Sequence, residues 1–225
     1  MHLPLRGTSW CILDRDVVPP QGIPYPGPLG DVARSTDFDL RGASVSLITT
    51  FADSDAGVWE VVRLEPVAGE SLESIARLDV FEGSHVDGAR WTLRGVPSYE
   101  RYVTRVEQQH LTASSPPLGR HEATRAALIP IRKSAAWWDL PQDERREIFE
   151  ERSRHIATGL KYLPAVARRL YHGRDLGEPF DFLTWFEYEP GDEDRFEELV
   201  LTLRATPEWA YVEREVDIRL SREPG

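Results

Sequence analysis

From Ala123 onward the chain passes through six regular segments, and their order restricts the fold more than any other feature of the 225 residues. ATRAALIPIRKS reads as a buried strand. DLPQDERREIFEERSRHIATGLKYL reads as one long helix, opened by Asp139, with Pro141 tolerated in the first turn and acidic residues at the positive end. VARRLYHG and FDFLTWFEYEP are β-branched and aromatic strand segments, GDEDRFEELVLTLRATPEWAYVE is a second helix, and REVDIRLSR closes the chain as a strand.

Strand, helix, strand, strand, helix, strand is the α+β order of a ferredoxin-like unit. Its helices cover one face of an antiparallel sheet and leave the other for a partner or ligand. Upstream, VSLITTF and VWEVVRLEPV flank the polar turn ADSDAG and predict a hairpin, and ARWTLRGV adds a third strand. SYERYVTRVEQQHL is ambiguous between strand and helix, and SSPPLGRH after it is turn chemistry. Six of the 17 prolines fall within the first 28 residues, so residues 1–40 are expected to form an irregular extension and residues 41–225 the folded domain.

The charge balance narrows the partners. With 27 Lys plus Arg against 38 Asp plus Glu the chain carries −11, which excludes a nucleic-acid surface built on excess cation. Cys11 is the single cysteine, so an internal disulfide, an iron–sulfur centre and a cysteine zinc site are excluded. No run approaches the roughly 18 apolar residues of a membrane span, and the N-terminus lacks a signal-peptide pattern, so the expected location is the cytoplasm.

There is no Gly-rich phosphate loop, no HExxH, no CxxC and no G-x-S-x-G elbow. The six histidines (His2, His85, His110, His121, His155 and His172) show no multi-His metal spacing, which leaves a one-histidine site of the kind that haem needs. His155 falls within the long helix, with Ile148, Gly159 and Tyr162 spaced to share its side and Gly159 leaving room beside it. A hydrogen-bonded helix histidine is the commoner reading of such a residue, and His172 in RLYHGRD competes with it on equal terms.

The run ALIPIRKSAAWWDLPQDERREIFEERSRHIATGLKYLPAVARRLYHGRDLGEPFDFLTWFEY, followed by LRATPEWAYVEREVDIRL, resembles the chlorite dismutase family in its shorter lineage. VWEVVRLEPV, ARWTLRGV and SYERYVTRVE extend the resemblance over residues 44–220. It implies a haem b (iron) enzyme with two ferredoxin-like halves per chain, a shorter one at 41–122 and the haem-binding one at 123–225. The halves form a dimeric α/β-barrel-type protein, a homodimer whose sheet face holds the porphyrin.

The resemblance also assigns residues. His155 matches the axial iron ligand and Glu208 the carboxylate that accepts its other ring N–H, although Glu208 by itself reads as an ordinary helix glutamate. Arg168 matches the arginine on the open side of the haem, Lys133 a lysine that meets a propionate, and Trp137 and Trp138 the paired tryptophans at the haem edge. The implied reaction takes chlorite to chloride and dioxygen through ferryl haem and a retained hypochlorite-level fragment, with Arg168 attracting chlorite and other small anions. Two alternatives remain at this point, a coproheme decarboxylase-like enzyme and a non-catalytic haem-binding or sensing protein. Against the first, Ile129 stands where such decarboxylases carry a reactive tyrosine before a proline. One position departs from the lineage: Ser115 replaces a glutamine expected to latch the arginine.

Overall fold

The computed structural model describes residues 38–40, 43–45, 48–83, 88–98 and 116–224. SYERYVTRVEQQHL beyond Ser98, together with Ser115, Cys11, His2, His85 and His110, lies outside the described residues. Phe38–Leu40 (β1) and Ala43–Val45 (β2) pair antiparallel as a two-stranded ribbon, so the stretch expected to be irregular contains a strand at its end.

Eight further strands close into a barrel: β3 (Thr49–Asp53), β4 (Trp59–Ala68), β5 (Arg77–Glu82), β6 (Thr92–Pro97), β7 (Arg125–Lys133), β8 (Val166–His172), β9 (Phe182–Tyr188) and β10 (Val212–Ser221). The order around the barrel is β10-β4-β5-β3-β6-β8-β9-β7, and every pairing is antiparallel. The second half runs β10-β7-β9-β8, which is the ferredoxin-like order expected for it. The first half has the equivalent order, β4-β5-β3-β6, with short connections and no helix between its strands among the described residues.

The hairpin expected across ADSDAG is not formed. β3 pairs with β5 (Phe51↔Val80) and β6 (Phe51↔Leu93), and β5 lies between β3 and β4. Phe51 and Ala52 are fully buried, so β3 belongs in the middle of its sheet with both edges taken. The polar turn reverses the chain without dictating which strand fills the gap.

The helix-free face is not left open for a ligand, contrary to what the order of elements predicts. Phe51, Trp59, Leu78, Leu93, Leu128, Leu183, Trp185, Val216 and Ile218 fill the barrel interior, so the helix-free face is a packed core. The outward face of β7, β9 and β10 carries the alternate residues. Ala127, Ile129, Ile131, Phe186 and Tyr188 there meet helix α4 (Glu193–Arg204) through its Phe196, Leu199, Val200 and Leu203. That i, i+3, i+4, i+7 stripe explains why this segment is a surface helix, and Phe196 stacks on Tyr188 at 4.5 Å. β10 follows the same alternation, and its outward Glu215, Asp217 and Arg219 are buried beneath α4 rather than solvated.

The long helix predicted from Asp139 is broken into pieces. α1 (Ala135–Asp139) ends at Leu140, which is extended (φ −65°, ψ 141°), as a residue before proline prefers. α2 (Gln142–Arg146) runs into a π turn at Glu147–Arg152, and Arg154 then adopts a left-handed conformation (φ 50°, ψ 39°) before α3 (His155–Leu160) begins. Ile148 and His155 therefore do not share one helical face. A non-glycine residue in this conformation costs about 1–3 kcal/mol, and here it re-aims the chain at the residue before His155.

The charges under α4 hold the helix to the barrel. Asp217 is paired with Arg219 and accepts Arg204 NH2 at 2.9 Å. Burial acts to raise the Asp217 pKa, but the hydrogen bonds and charges of Arg219 and Arg204 outweigh it and hold the carboxyl below its usual range. A carboxyl depressed by folding contributes stability above its unfolded pKa and loses it as pH falls through the folded value. Asp217→Asn is expected to cost on the order of 3 kcal/mol at neutral pH and to flatten the acid limb below about pH 4. Urea unfolding at several pH values measures both; an acid limb parallel to that of the parent would remove Asp217 from this role.

Candidate active site

His155 is the first residue of α3, and its imidazole lies half-buried against the ring of Phe149, with centroids 4.5 Å apart and planes 24° apart. Its Nδ1 is 2.9 Å from Glu208 Oε2. Glu208 sits in the 3₁₀ turn Pro207–Tyr211 that leads into β10, not in the body of the preceding helix as the sequence suggested. It is 5% exposed. Burial alone would raise its pKa, but the hydrogen bond and charge of His155, followed by those of Lys133, hold the carboxyl below its ordinary range. An ionised carboxylate only accepts, so Nδ1 carries the hydrogen and Nε2 is the ring nitrogen left to face a ligand.

Lys133, at the end of β7, donates to the other carboxylate oxygen, Oε1, at 2.8 Å and to the Glu208 carbonyl at 3.3 Å. Its ammonium lies 4.7 Å from the Trp137 ring centroid and 5.3 Å from that of Trp209. Burial pulls its pKa below the usual lysine range, against the opposing charges of Glu208, Glu215 and Asp181. The resemblance placed Lys133 on a propionate; in the structure its ammonium is engaged by Glu208 in a site 4% exposed. Ser153 Oγ accepts the Glu208 backbone N–H at 3.1 Å, tying the turn before His155 to the turn that carries its carboxylate.

Arg168 projects outward from β8, on the side of α3. A Cβ on Gly159 would come within 3.1 Å of an Arg168 guanidinium nitrogen, so the small residue one turn after His155 gives the arginine its place. Burial lowers the Arg168 pKa, opposed by the charge of Glu150, and an arginine still remains a cation under these conditions. Ile129 is buried on the outward face of β7, two positions from Ile131 and four from Lys133, within the apolar cluster beneath α4. The paired tryptophans divide. Trp137 is buried against Lys133 and Tyr211, whereas Trp138 is part-exposed, donating to Asp181 Oδ2 at 3.3 Å under the Arg174 guanidinium at 3.7 Å.

His172, the rival ligand, is placed elsewhere. Its Nε2 is 3.0 Å from Ser98 Oγ and its ring stands edge-on to Phe182. Among the described residues no three His, Cys, Asp or Glu side chains are grouped to hold a metal ion. Sequence reasoning missed Ser153, Phe149, Trp209 and Asp181. Of these only Trp209 carried a signal, as an aromatic residue adjoining Glu208.

A single imidazole with a locked tautomer, aromatic and apolar walls, and a guanidinium on a neighbouring strand suit a planar iron cofactor that brings its own equatorial ligands. The fold and site thus define a ferredoxin-like barrel protein with a candidate one-histidine site on its outer face. A model of the chlorite dismutase family matches residues 69–223, and the chain belongs to that family.

Among solved structures, that of the dimeric chlorite dismutase of Nitrobacter winogradskyi is 60% identical at a TM-score of 0.73, covering 77% of this chain and 99% of that one. The chlorite dismutase of Candidatus Nitrospira defluvii in complex with imidazole is 25% identical at a TM-score of 0.54, covering 77% and 90%. The chlorite dismutase of Ideonella dechloratans is 37% identical over 86 residues, 38% of this chain and 28% of that protein's length.

Gly159→Ala tests the arginine's seat. Alanine favours the helix by about 0.8–1 kcal/mol over glycine, and the contact it makes is with the far end of a flexible side chain. The variant is expected to unfold within about 1 kcal/mol of the parent, yet to weaken the binding of small anions through displacement of Arg168. Denaturant titration and anion titration of the haem-loaded protein measure the two effects; unchanged anion affinity would show that Gly159 does not set the arginine.

Proposed function

We propose that the chain is a haem b-dependent chlorite dismutase, converting chlorite to chloride and dioxygen and working as a homodimer. The observation that carries the reading is the Glu208 carboxylate, shared between His155 Nδ1 and Lys133 Nζ, with Arg168 seated on Gly159 of the helix that begins at His155. Membership of the family and the 60% identity to a dimeric chlorite dismutase support both the activity and the dimer.

Haem, when bound, supplies the cleavage of the oxygen–chlorine bond and the formation of the oxygen–oxygen bond. The residues supply the rest. His155 would hold the iron through Nε2, and Glu208 at Nδ1 would strengthen its electron donation and fix its ring plane. Lys133 shares that carboxylate and limits how far the imidazole proton is drawn toward it. Arg168 would attract the chlorite anion and hold a chlorine oxyanion beside the haem group, replacing a diffusive encounter by an oriented one. Its forked donors suit an oxyanion, and it cannot act as a base. Buried Ile129 in place of a phenol weighs against decarboxylase chemistry, and a haem sensor would have no use for a fragment-retaining arginine.

An absorption spectrum with and without added haem, followed by an oxygen-electrode trace with chlorite, tests the reading. Oxygen release is expected from the parent, and a haem-loaded protein that releases none would leave only the sensor. His155→Ala should abolish the ordered haem spectrum while His172→Ala keeps it; the reverse pattern would overturn the ligand assignment. Arg168→Gln should bind haem normally, release more trappable hypochlorite and bleach after fewer turnovers. Light scattering measures the dimer.

A further inference from the structure

We propose that Glu215 is a positioning residue for the His155 imidazole, acting through the indole of Trp209. Glu215 is fully buried on the outward face of β10. Its Oε1 receives Arg204 from the end of α4, through NH2 at 2.6 Å and Nε at 2.8 Å. Its Oε2 accepts the Trp209 indole N–H at 2.7 Å. The Trp209 ring lies 16° from parallel to the His155 imidazole at a centroid separation of 6.5 Å, and 5.3 Å from the Lys133 ammonium.

An indole has a single donor, so the bond to Glu215 decides which way the ring faces. Trp209 directly follows Glu208, and rotation of its ring would disturb both the wall beside His155 and the cover over Lys133. Satisfying Arg204 at the helix end explains Oε1 of Glu215 but not Oε2, which is committed to the turn that carries the imidazole's own acceptor. Glu215 is thus the point at which the buried charges under α4 meet the candidate active site.

This inference rests on the reading of His155 as the haem ligand, and the test separates the two. In the full chain without added haem, the His155 Nδ1–H resonance is followed by ¹⁵N-edited NMR. In the loaded protein, haem loss to excess apomyoglobin and the iron–histidine stretching frequency are measured. Glu215→Ala and Trp209→Phe should each bring the Nδ1–H into faster exchange with water and speed haem loss about tenfold. The double variant should be no worse than either alone, because both remove the same contact. Glu215→Gln should retain the resonance, since its amide oxygen still accepts the indole N–H. Additive losses, or an unchanged Nδ1–H in Trp209→Phe, would overturn the proposal; the second of these decides it even if Glu215→Ala does not fold. A parent chain that takes up no haem would sink the cofactor reading, while the NMR comparison still decides whether Glu215 holds the ring.

Discussion

One carboxylate with a donor on each oxygen organises the candidate active site. Glu208 gives Oε2 to His155 and Oε1 to Lys133, and all three lie in a region nearly closed to water. A buried carboxylate is tolerated only when both oxygens are satisfied, so each partner depends on the other being in place. The three residues come from three elements: the end of β7, the first residue of α3 and the 3₁₀ turn before β10. What brings them together is the β10–β7 pairing, in which Val212 faces Lys133 and so sets the Glu208 turn beside the lysine. Ser153 adds the second tie, holding the His155 turn to the backbone of Glu208.

Closure of the barrel decides where such a site can lie. Phe51, Trp59, Leu128, Trp185 and their neighbours pack the interior, and His155, Glu208 and Arg168 lie on the outward side. The same closure makes β10 a strand with two buried faces of different chemistry, apolar inside and charged outside. Register shifts between Glu215 and Val216, and between Arg219 and Leu220, bend it around the barrel. Arg204 and Glu197 of α4 then meet the charges that the outer face presents. Packing of the helix and ordering of the site are consequently parts of one arrangement of buried charges.

Strand and helix types in the second half were legible because alternation and 3.6-residue periodicity are local properties. The breaks in the His155 helix were not. Pro141 was visible yet compatible with a first turn, and neither the π turn nor the left-handed Arg154 leaves a compositional mark. The false hairpin had a related cause, since a turn motif records that the chain reverses and not that β5 will occupy the space between β3 and β4. His155 and Glu208 stand 53 residues apart, so no spacing rule could join them, and only the resemblance to the family did. Lys133 shows the limit of that route. The resemblance singled it out for a propionate, whereas the contact it makes here, with Glu208, followed from how β7 and the 3₁₀ turn pack.

The two cations of the site differ in kind, and the difference follows from what surrounds them. Lys133 is held by a carboxylate at 2.8 Å, and its charge is balanced where it stands. Among the described residues Arg168 is offset by the field of Glu150, while burial pushes its pKa downward. A lysine under that pressure sheds its proton readily, whereas a guanidinium keeps it. The chain as a whole carries −11 and repels small anions at long range, so any attraction for one must be local and permanent. Arginine meets that requirement at a site where burial works against charge, and lysine meets the opposite one, a charge that a neighbouring carboxylate already neutralises.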